Sequence, residues 1–203
     1  MNNKCFIFDI GKVMIDFHQE NFQRMIAKSC NGSFDVISAN WSNEVQLAIE
    51  IGQAEDQEYF DYYKEIYGLN WTPEEWVENY AAIYSLNKVG RDLFFELKGQ
   101  GYPIYILSNL AEYNKLAIDV KFPGFLEEST RNFYSYELGF HKPDLEIYKT
   151  VCAEIGANPE DCFFLDDAEK NVEGAKEIGM NAVLYHENNI EEIKEKIQEF
   201  INN

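Results

Sequence analysis

Cationic side chains are scarce in this 203-residue chain: 17 Lys and Arg stand against 36 Asp and Glu, a formal charge of −19. A field of that sign repels nucleic acid and anionic membranes, so neither is expected as a partner. It also means that a phosphate-bearing substrate must be drawn in by a metal ion or a few local cations. Cysteine is sparse too. Cys5, Cys30, Cys152 and Cys162 form no Cys-x-x-Cys pair, and their mostly apolar surroundings point to buried free thiols in a reducing compartment. The three histidines, His18, His141 and His186, lack metal-ligand spacing. No apolar run approaches the ~20 residues of a membrane span. Met1-Asn-Asn-Lys4 leads into the first apolar stretch without the apolar core of a signal peptide, so a cytoplasmic protein is expected. No internal repeat or low-complexity linker is visible.

What is present is an ordinary globular composition, 46% hydrophobic with 15 Phe and 13 Tyr, in a length that suits one domain with a modest insertion. Apolar runs bounded by turn residues predict strands at residues 5–8, 104–107, 162–165 and 182–185, with a weaker one at 133–136. Helical segments fall between and after them, at 88–98, 111–121, 145–155, 168–178 and 190–201. Continuous apolar strands alternating with helices indicate a parallel sheet covered on both faces. Residues 17–87 break the rhythm and read as helices throughout, at 19–28, 43–51, 56–67 and 73–84. Thr72-Pro73-Glu74-Glu75 has the form of a capped helix start. The expected architecture is a Rossmann-like α/β core, residues 1–16 and 88–203, carrying an inserted helical cap, residues 17–87. Trp41, Trp71 and Trp76 read as helix-packing residues of that cap.

In an open parallel sheet, ligands bind at the carboxyl ends of the strands. Polar residues stand at those ends here: Asp9 after the first strand, Ser108-Asn109 after the second, and Asp166-Asp167 after the third. Lys142 lies in the Gly139-Phe-His-Lys-Pro143 loop that follows the weak strand. Carboxylates that bind Mg²⁺, a lysine that neutralises phosphoryl oxygens and an aspartate able to attack phosphorus suit phosphoryl transfer. Each element alone has a plainer reading, as turn former, helix cap or loop lysine.

Phe8-Asp9-Ile-Gly-Lys-Val13, Ile106-Leu-Ser108-Asn109, His141-Lys142-Pro143-Asp144 and Phe164-Leu-Asp166-Asp167-Ala-Glu-Lys-Asn171 together resemble the four motifs of the haloacid dehalogenase-like hydrolases, in that family's order. The insertion after the first motif is similar to the family's helical cap of the first subfamily. The first motif, with its glycine and following Val-x-x-Asp, resembles a bacterial branch that includes α-D-glucose-1-phosphate phosphatase. The resemblance implies an Mg²⁺-dependent phosphatase of a small phosphorylated metabolite such as a sugar phosphate, acting as a monomer or homodimer. It makes Asp9 the nucleophile and a metal ligand, with the Gly11 carbonyl and Asp167 completing the protein's share of the metal site. It places Asp166 behind them, Ser108 and Asn109 on phosphoryl oxygens, and Lys142 against the charge of Asp9. Asn171 is expected to orient Asp167 or a bound water.

Gly11 departs from the pattern. In the family's phosphatases a carboxylic acid at that place protonates the leaving group, and losing such a group costs roughly 10²- to 10⁴-fold. The backbone carbonyl survives the change, so the expected consequence is a preference for good leaving groups such as an anomeric sugar phosphate. Lys12, Asp16 and His18 are near in sequence as substitutes. Two other readings stay open here: a 2-haloacid dehalogenase, which uses the same aspartate without metal, and an impaired phosphate-binding regulatory module.

Overall fold

The computed structural model describes residues 4–203; Met1, Asn2 and Asn3, the first residues of the expected core segment, lie outside the described residues. In chain order the strands are β1 (Cys5–Phe8), β2 (Ile15–Phe17), β3 (Tyr84–Leu86), β4 (Ile104–Ser108), β5 (Arg131–Tyr134), β6 (Cys162–Asp166) and β7 (Asn181–Leu184). Five of them form one parallel sheet in the order β5-β4-β1-β6-β7, so β1 lies at its centre. Phe8 sits beside Ile106 on one flank and Leu165 on the other, which brings the residues after these positions to a common edge.

The helices are α1 (Gln19–Ser29), α2 (Phe34–Ala39), α3 (Glu44–Glu50), α4 (Asp56–Tyr67), α5 (Pro73–Ala81), α6 (Lys88–Gly99), α7 (Glu112–Lys121), α8 (Ser135–Leu138), α9 (Leu145–Ile155), α10 (Glu169–Glu177) and α11 (Ile190–Asn202). The two-residue period of a strand sends alternate side chains of β1 to opposite faces. Phe6 and Phe8 join Leu93, Phe94 and Leu97 of α6 and Ile193, Ile197 and Phe200 of α11. Cys5 and Ile7 join Ile147 and Val151 of α9 and Val172 and Ala175 of α10. The sheet is therefore covered on both faces, as its apolar strands require. Among the described residues, no helix is long and apolar enough to cross a membrane. The four cysteines are free thiols, with Cys30 the least buried.

Helices α1 to α5 occupy the segment between β2 and β3, two strands that pair antiparallel with Ile15 opposite Leu86 and Phe17 opposite Tyr84. This ribbon was not expected from the sequence: the helix predicted over 73–84 stops at Ala81, and Tyr84 turns into β3. The strand predicted over 133–136 likewise runs two residues earlier. Ser135 leaves it because its hydroxyl accepts from the Leu110 N–H at 3.0 Å and donates to the Leu110 carbonyl at 3.2 Å, at the start of α8. The Thr72 start forms as its residues predict, with Glu75 N–H donating to the Thr72 hydroxyl and Thr72 N–H to the Glu75 carboxylate.

Aromatic side chains hold the helical segment together. The Trp76 ring centroid lies 5.3 Å from Phe22, 5.5 Å from Tyr59 and 5.2 Å from Tyr63, mostly edge to face. This cluster is continuous with the Phe6 and Phe8 face of the sheet. Helix α5 packs on α7 and α3 on α8, which seats the insertion against the core at two places. At the second, Gly52 has φ +66° and a Cβ there would lie 2.2 Å from the Tyr136 carbonyl oxygen, so only glycine lets the end of α3 come this close.

Candidate active site

Asp9 is the first residue beyond β1, and its N–H donates to the Leu165 carbonyl at 2.9 Å. That bond continues the β1–β6 ladder one step and fixes the aspartate next to Asp166, the last residue of β6. Lys142 comes from the loop between α8 and α9. Its ammonium lies 2.9 Å from Asp9 Oδ1 and 2.6 Å from Asp166 Oδ2, and it donates to the Leu107 carbonyl at 3.0 Å. The lysine is 1% exposed. A charge so deeply buried is tolerable only because all three of its donors are used.

Asn109 holds the lysine loop rather than standing free for a ligand: its Nδ2 donates to the Lys142 carbonyl at 2.9 Å and its Oδ1 accepts the Lys142 N–H at 2.8 Å. Asn171, expected beside Asp167, turns instead to Asp166, donating from Nδ2 to Oδ1 at 2.9 Å. The reason is burial. Asp166 is fully enclosed and needs donors; it takes Lys142 on one oxygen, and Asn171 and the Ala168 N–H on the other. Asn171 Oδ1 is left buried without a partner.

Oxygen atoms of Asp9, Asp166 and Asp167 all lie within 4.8 Å of one another. Three hard donors at that separation, beside an unsatisfied amide oxygen, fit a small divalent cation. Since both Asp166 oxygens are engaged, Asp9 and Asp167 are the better placed to ligate. Asp167 pairs with Lys12 at 3.2 Å, and that lysine is largely exposed. Burial pushes the Asp9 carboxyl up to about 6; Lys142 opposes the shift, while the charges of Asp166 and Asp167 add to it. For Lys142 burial acts downward, but Asp9 and Asp166 outweigh it and hold the ammonium above its usual range.

A cavity of about 160 Å³ opens beside this cluster, with Gly11, Ser108 and Asn109 on the core side and Trp41, Gln46 and Glu50 on the insertion side. A Cβ at Gly11, which lines the cavity, would stand 3.8 Å from Asp9 Oδ2, the oxygen not taken by Lys142. The same Cβ would meet the Phe17 ring at 3.1 Å. Phe17, from β2, thus fills the space that a side chain at position 11 would use. The three substitutes suggested by sequence lie elsewhere: Lys12 is on Asp167, Asp16 accepts from Asn87 Nδ2 at 3.2 Å, and His18 precedes α1. None of them lines the cavity.

Glu50 does line it, and sequence reasoning did not select it. Its Oε1 accepts from Gln46 Nε2 at 2.9 Å, and its Oε2 lies 3.1 Å from His141 Nε2. The available signal was weak: Gln46 and Glu50 are four apart on a predicted helix, but one sequence does not say which helix face meets a cleft.

A parallel sheet with an aspartate beyond its central strand, a buried lysine bridging two carboxylates and helices inserted after the first strand together define a class of hydrolase. The chain belongs to the haloacid dehalogenase-like hydrolases, whose family profile matches residues 3–179. Among solved structures, a HAD family enzyme from Bacteroides thetaiotaomicron, in complex with magnesium and inorganic phosphate, superposes with a TM-score of 0.81 at 23% identity, covering 90% of this chain and 94% of that one. A predicted HAD-like family hydrolase from Porphyromonas gingivalis gives 0.80 at 21% identity over 98% and 99% of the two chains. In sequence, flavin mononucleotide hydrolase 1 of Arabidopsis thaliana is 36% identical over 84 residues, 41% of this chain and 30% of that protein. The sesquiterpene phosphatase astK of Aspergillus oryzae is 33% identical over 90 residues, 43% and 44%. The chain thus matches less than half the length of either. D-ribitol-5-phosphate phosphatase of Bacteroides thetaiotaomicron aligns over 87% of this chain and 88% of its own length at 23% identity.

Proposed function

We propose that this protein is an Mg²⁺-dependent phosphatase of small phosphorylated metabolites, with Asp9 as its nucleophile. The observation that carries the reading is the division of labour at Asp9. One oxygen is held by a buried lysine and the other is not, while Gly11, two residues on, and Ser108 line the cavity between sheet and insertion. Asp9 Oδ2 bonds to phosphorus as the ester oxygen leaves, and water then hydrolyses the aspartyl-phosphate. Lys142 keeps Asp9 oriented and offsets charge on the transferred group. Ser108 supplies a hydroxyl to a phosphoryl oxygen, and Asn109 acts by fixing the lysine loop. A bound Mg²⁺, held by Asp9, the Gly11 carbonyl and Asp167 with Asp166 and Asn171 behind them, supplies positive charge for the phosphoryl oxygens. A dehalogenase has no use for this carboxylate cluster, which weighs against that reading.

The small cavity, with amide and carboxylate groups among aromatic rings, favours a compact polyhydroxylated leaving group. Sugar phosphates fit that description, glucose 1-phosphate and pentitol phosphates included, and the ribitol-5-phosphate phosphatase that aligns along most of the chain acts on a substrate of this kind. The test is hydrolysis of p-nitrophenyl phosphate with Mg²⁺ or with EDTA, beside Asp9→Asn. Metal-dependent turnover that falls by roughly 10³-fold or more in the variant is expected. Metal-independent halide release from a 2-haloacid, without phosphatase activity, would contradict the proposal.

A further inference from the structure

Cleaving the phosphate ester of an ordinary alcohol calls for a proton on the departing oxygen, and a positioned acid contributes roughly 10²- to 10⁴-fold. Position 11 offers none, and Phe17 occupies its side-chain space. Lys12, Asp16 and His18 are directed elsewhere. The titratable side chains that line the cavity are Glu50, Tyr80, Tyr84 and Tyr113. Burial holds the three phenols well above their usual range, so they release a proton poorly. Glu50 is the one carboxylate among the cavity's lining residues.

Its placement is fixed from two sides. His141 meets Oε2 at 3.1 Å, Gln46 meets Oε1 at 2.9 Å, and His141 immediately precedes the Lys142 that grips Asp9. Two residues past Glu50, Gly52 lets the end of α3 close on the Tyr136 carbonyl. The insertion therefore presents this carboxyl group to a cavity of about 160 Å³ that Gly11, Ser108 and Asn109 line from the core side.

Resting on the phosphatase reading, the geometry points to Glu50 as the acid–base residue of this site, with His141 as its positioning residue, and to alkyl phosphate monoesters as substrates within its reach. In the first step Asp9 Oδ2 forms its bond to phosphorus, the bond from phosphorus to the alcohol oxygen breaks, and the Glu50 carboxyl proton passes to that oxygen. In the second step the Glu50 carboxylate takes a proton from the attacking water, whose oxygen bonds to phosphorus. The Asp9–phosphorus bond breaks with its electron pair returning to Asp9, and Glu50 is protonated as at the start.

The experiment compares kcat for glycerol 1-phosphate and p-nitrophenyl phosphate, with Mg²⁺, in wild type, Glu50→Gln, Glu50→Asp and His141→Asn. Glu50→Gln should lower kcat on the alkyl ester by about 10²-fold or more, with a much smaller loss on the aryl ester, whose leaving group needs no proton. Glu50→Asp should recover part of the alkyl activity, and His141→Asn should reproduce the selective loss at lower amplitude. An equal factor on both esters, or no loss on the alkyl ester, overturns the assignment. Wild-type enzyme that hydrolyses neither ester overturns the phosphatase reading and this inference with it.

Discussion

Lys142 and Glu50 belong to the same site but are held in different ways. The lysine is fully enclosed, uses all three of its donors, and is fixed by the Asn109 side chain on its own backbone and by the Leu107 carbonyl of β4. The glutamate is half-buried, comes from a short helix of the insertion, and has two side-chain partners, one of them a histidine from the core. The first arrangement suits a group that must not move while charge is transferred. The second suits a group that meets whatever molecule enters. Under the proposed function, the strand ends would set the phosphoryl chemistry and the insertion what can be attached to the phosphoryl group.

That contrast breaks most sharply at Lys142. Lys142→Met leaves Asp9 and Asp166 buried without their shared counter-charge, so a stability loss of about 3–5 kcal/mol is expected along with loss of turnover. Denaturant unfolding and single-temperature kinetics measure both, and a well-folded, active variant would refute the hub. Gly11→Asp should have a moderate effect, costing about 1–3 kcal/mol through strain against Phe17. It should not raise kcat on an alkyl ester, because the added carboxyl cannot settle where the ring stands. A gain in kcat would show that the ring yields and that position 11 is open to an acid.

The smallest expected effect lies away from the cavity, at Asp56, the first residue of α4, beside Glu112 and Tyr113 of α7. Burial pushes this carboxyl up to about 6, with Glu112 and Glu55 adding to the shift and a backbone hydrogen bond from Tyr113 opposing it. Its raised folded-state pKa stabilises the protein below the ordinary carboxylate range, and that contribution is lost as pH rises through about 6. Asp56→Asn should therefore raise Tm at pH 7 and leave it nearly unchanged at pH 4. Because the group is partly solvated, the gain should stay under about 1 kcal/mol. An unchanged Tm at pH 7 would show that no penalty exists.

Much of the core half was legible in the sequence because local pattern determines it. The helix predicted over 145–155 appears as Leu145–Ile155, and Cys5–Phe8 is a buried strand. The strand-end residues Asp9, Ser108, Asp166 and Asp167 come to one edge because a parallel sheet must bring them there. The ribbon of β2 and β3 was not legible, since three-residue strands carry little pattern and their partners are remote in the chain. Asn109, expected on phosphoryl oxygens, bonds to the Lys142 backbone, and Asn171, expected to orient Asp167 or a water, bonds to Asp166; such amide partners depend on burial that a sequence does not display. Phe17 and Glu50 were out of reach for a related reason. Their approach to Gly11 and the cavity depends on how the insertion folds back on the core, and no local spacing encodes it.

In the proposed reaction Asp9 carries the phosphoryl group. Rapid acid quench of the wild-type protein turning over p-nitrophenyl phosphate with Mg²⁺, followed by peptide mass spectrometry, tests it directly. A single added phosphoryl group is expected on the peptide containing Asp9, absent in Asp9→Asn and discharged when turnover is allowed to finish. Turnover with no such adduct, or an adduct that persists in Asp9→Asn, would contradict it.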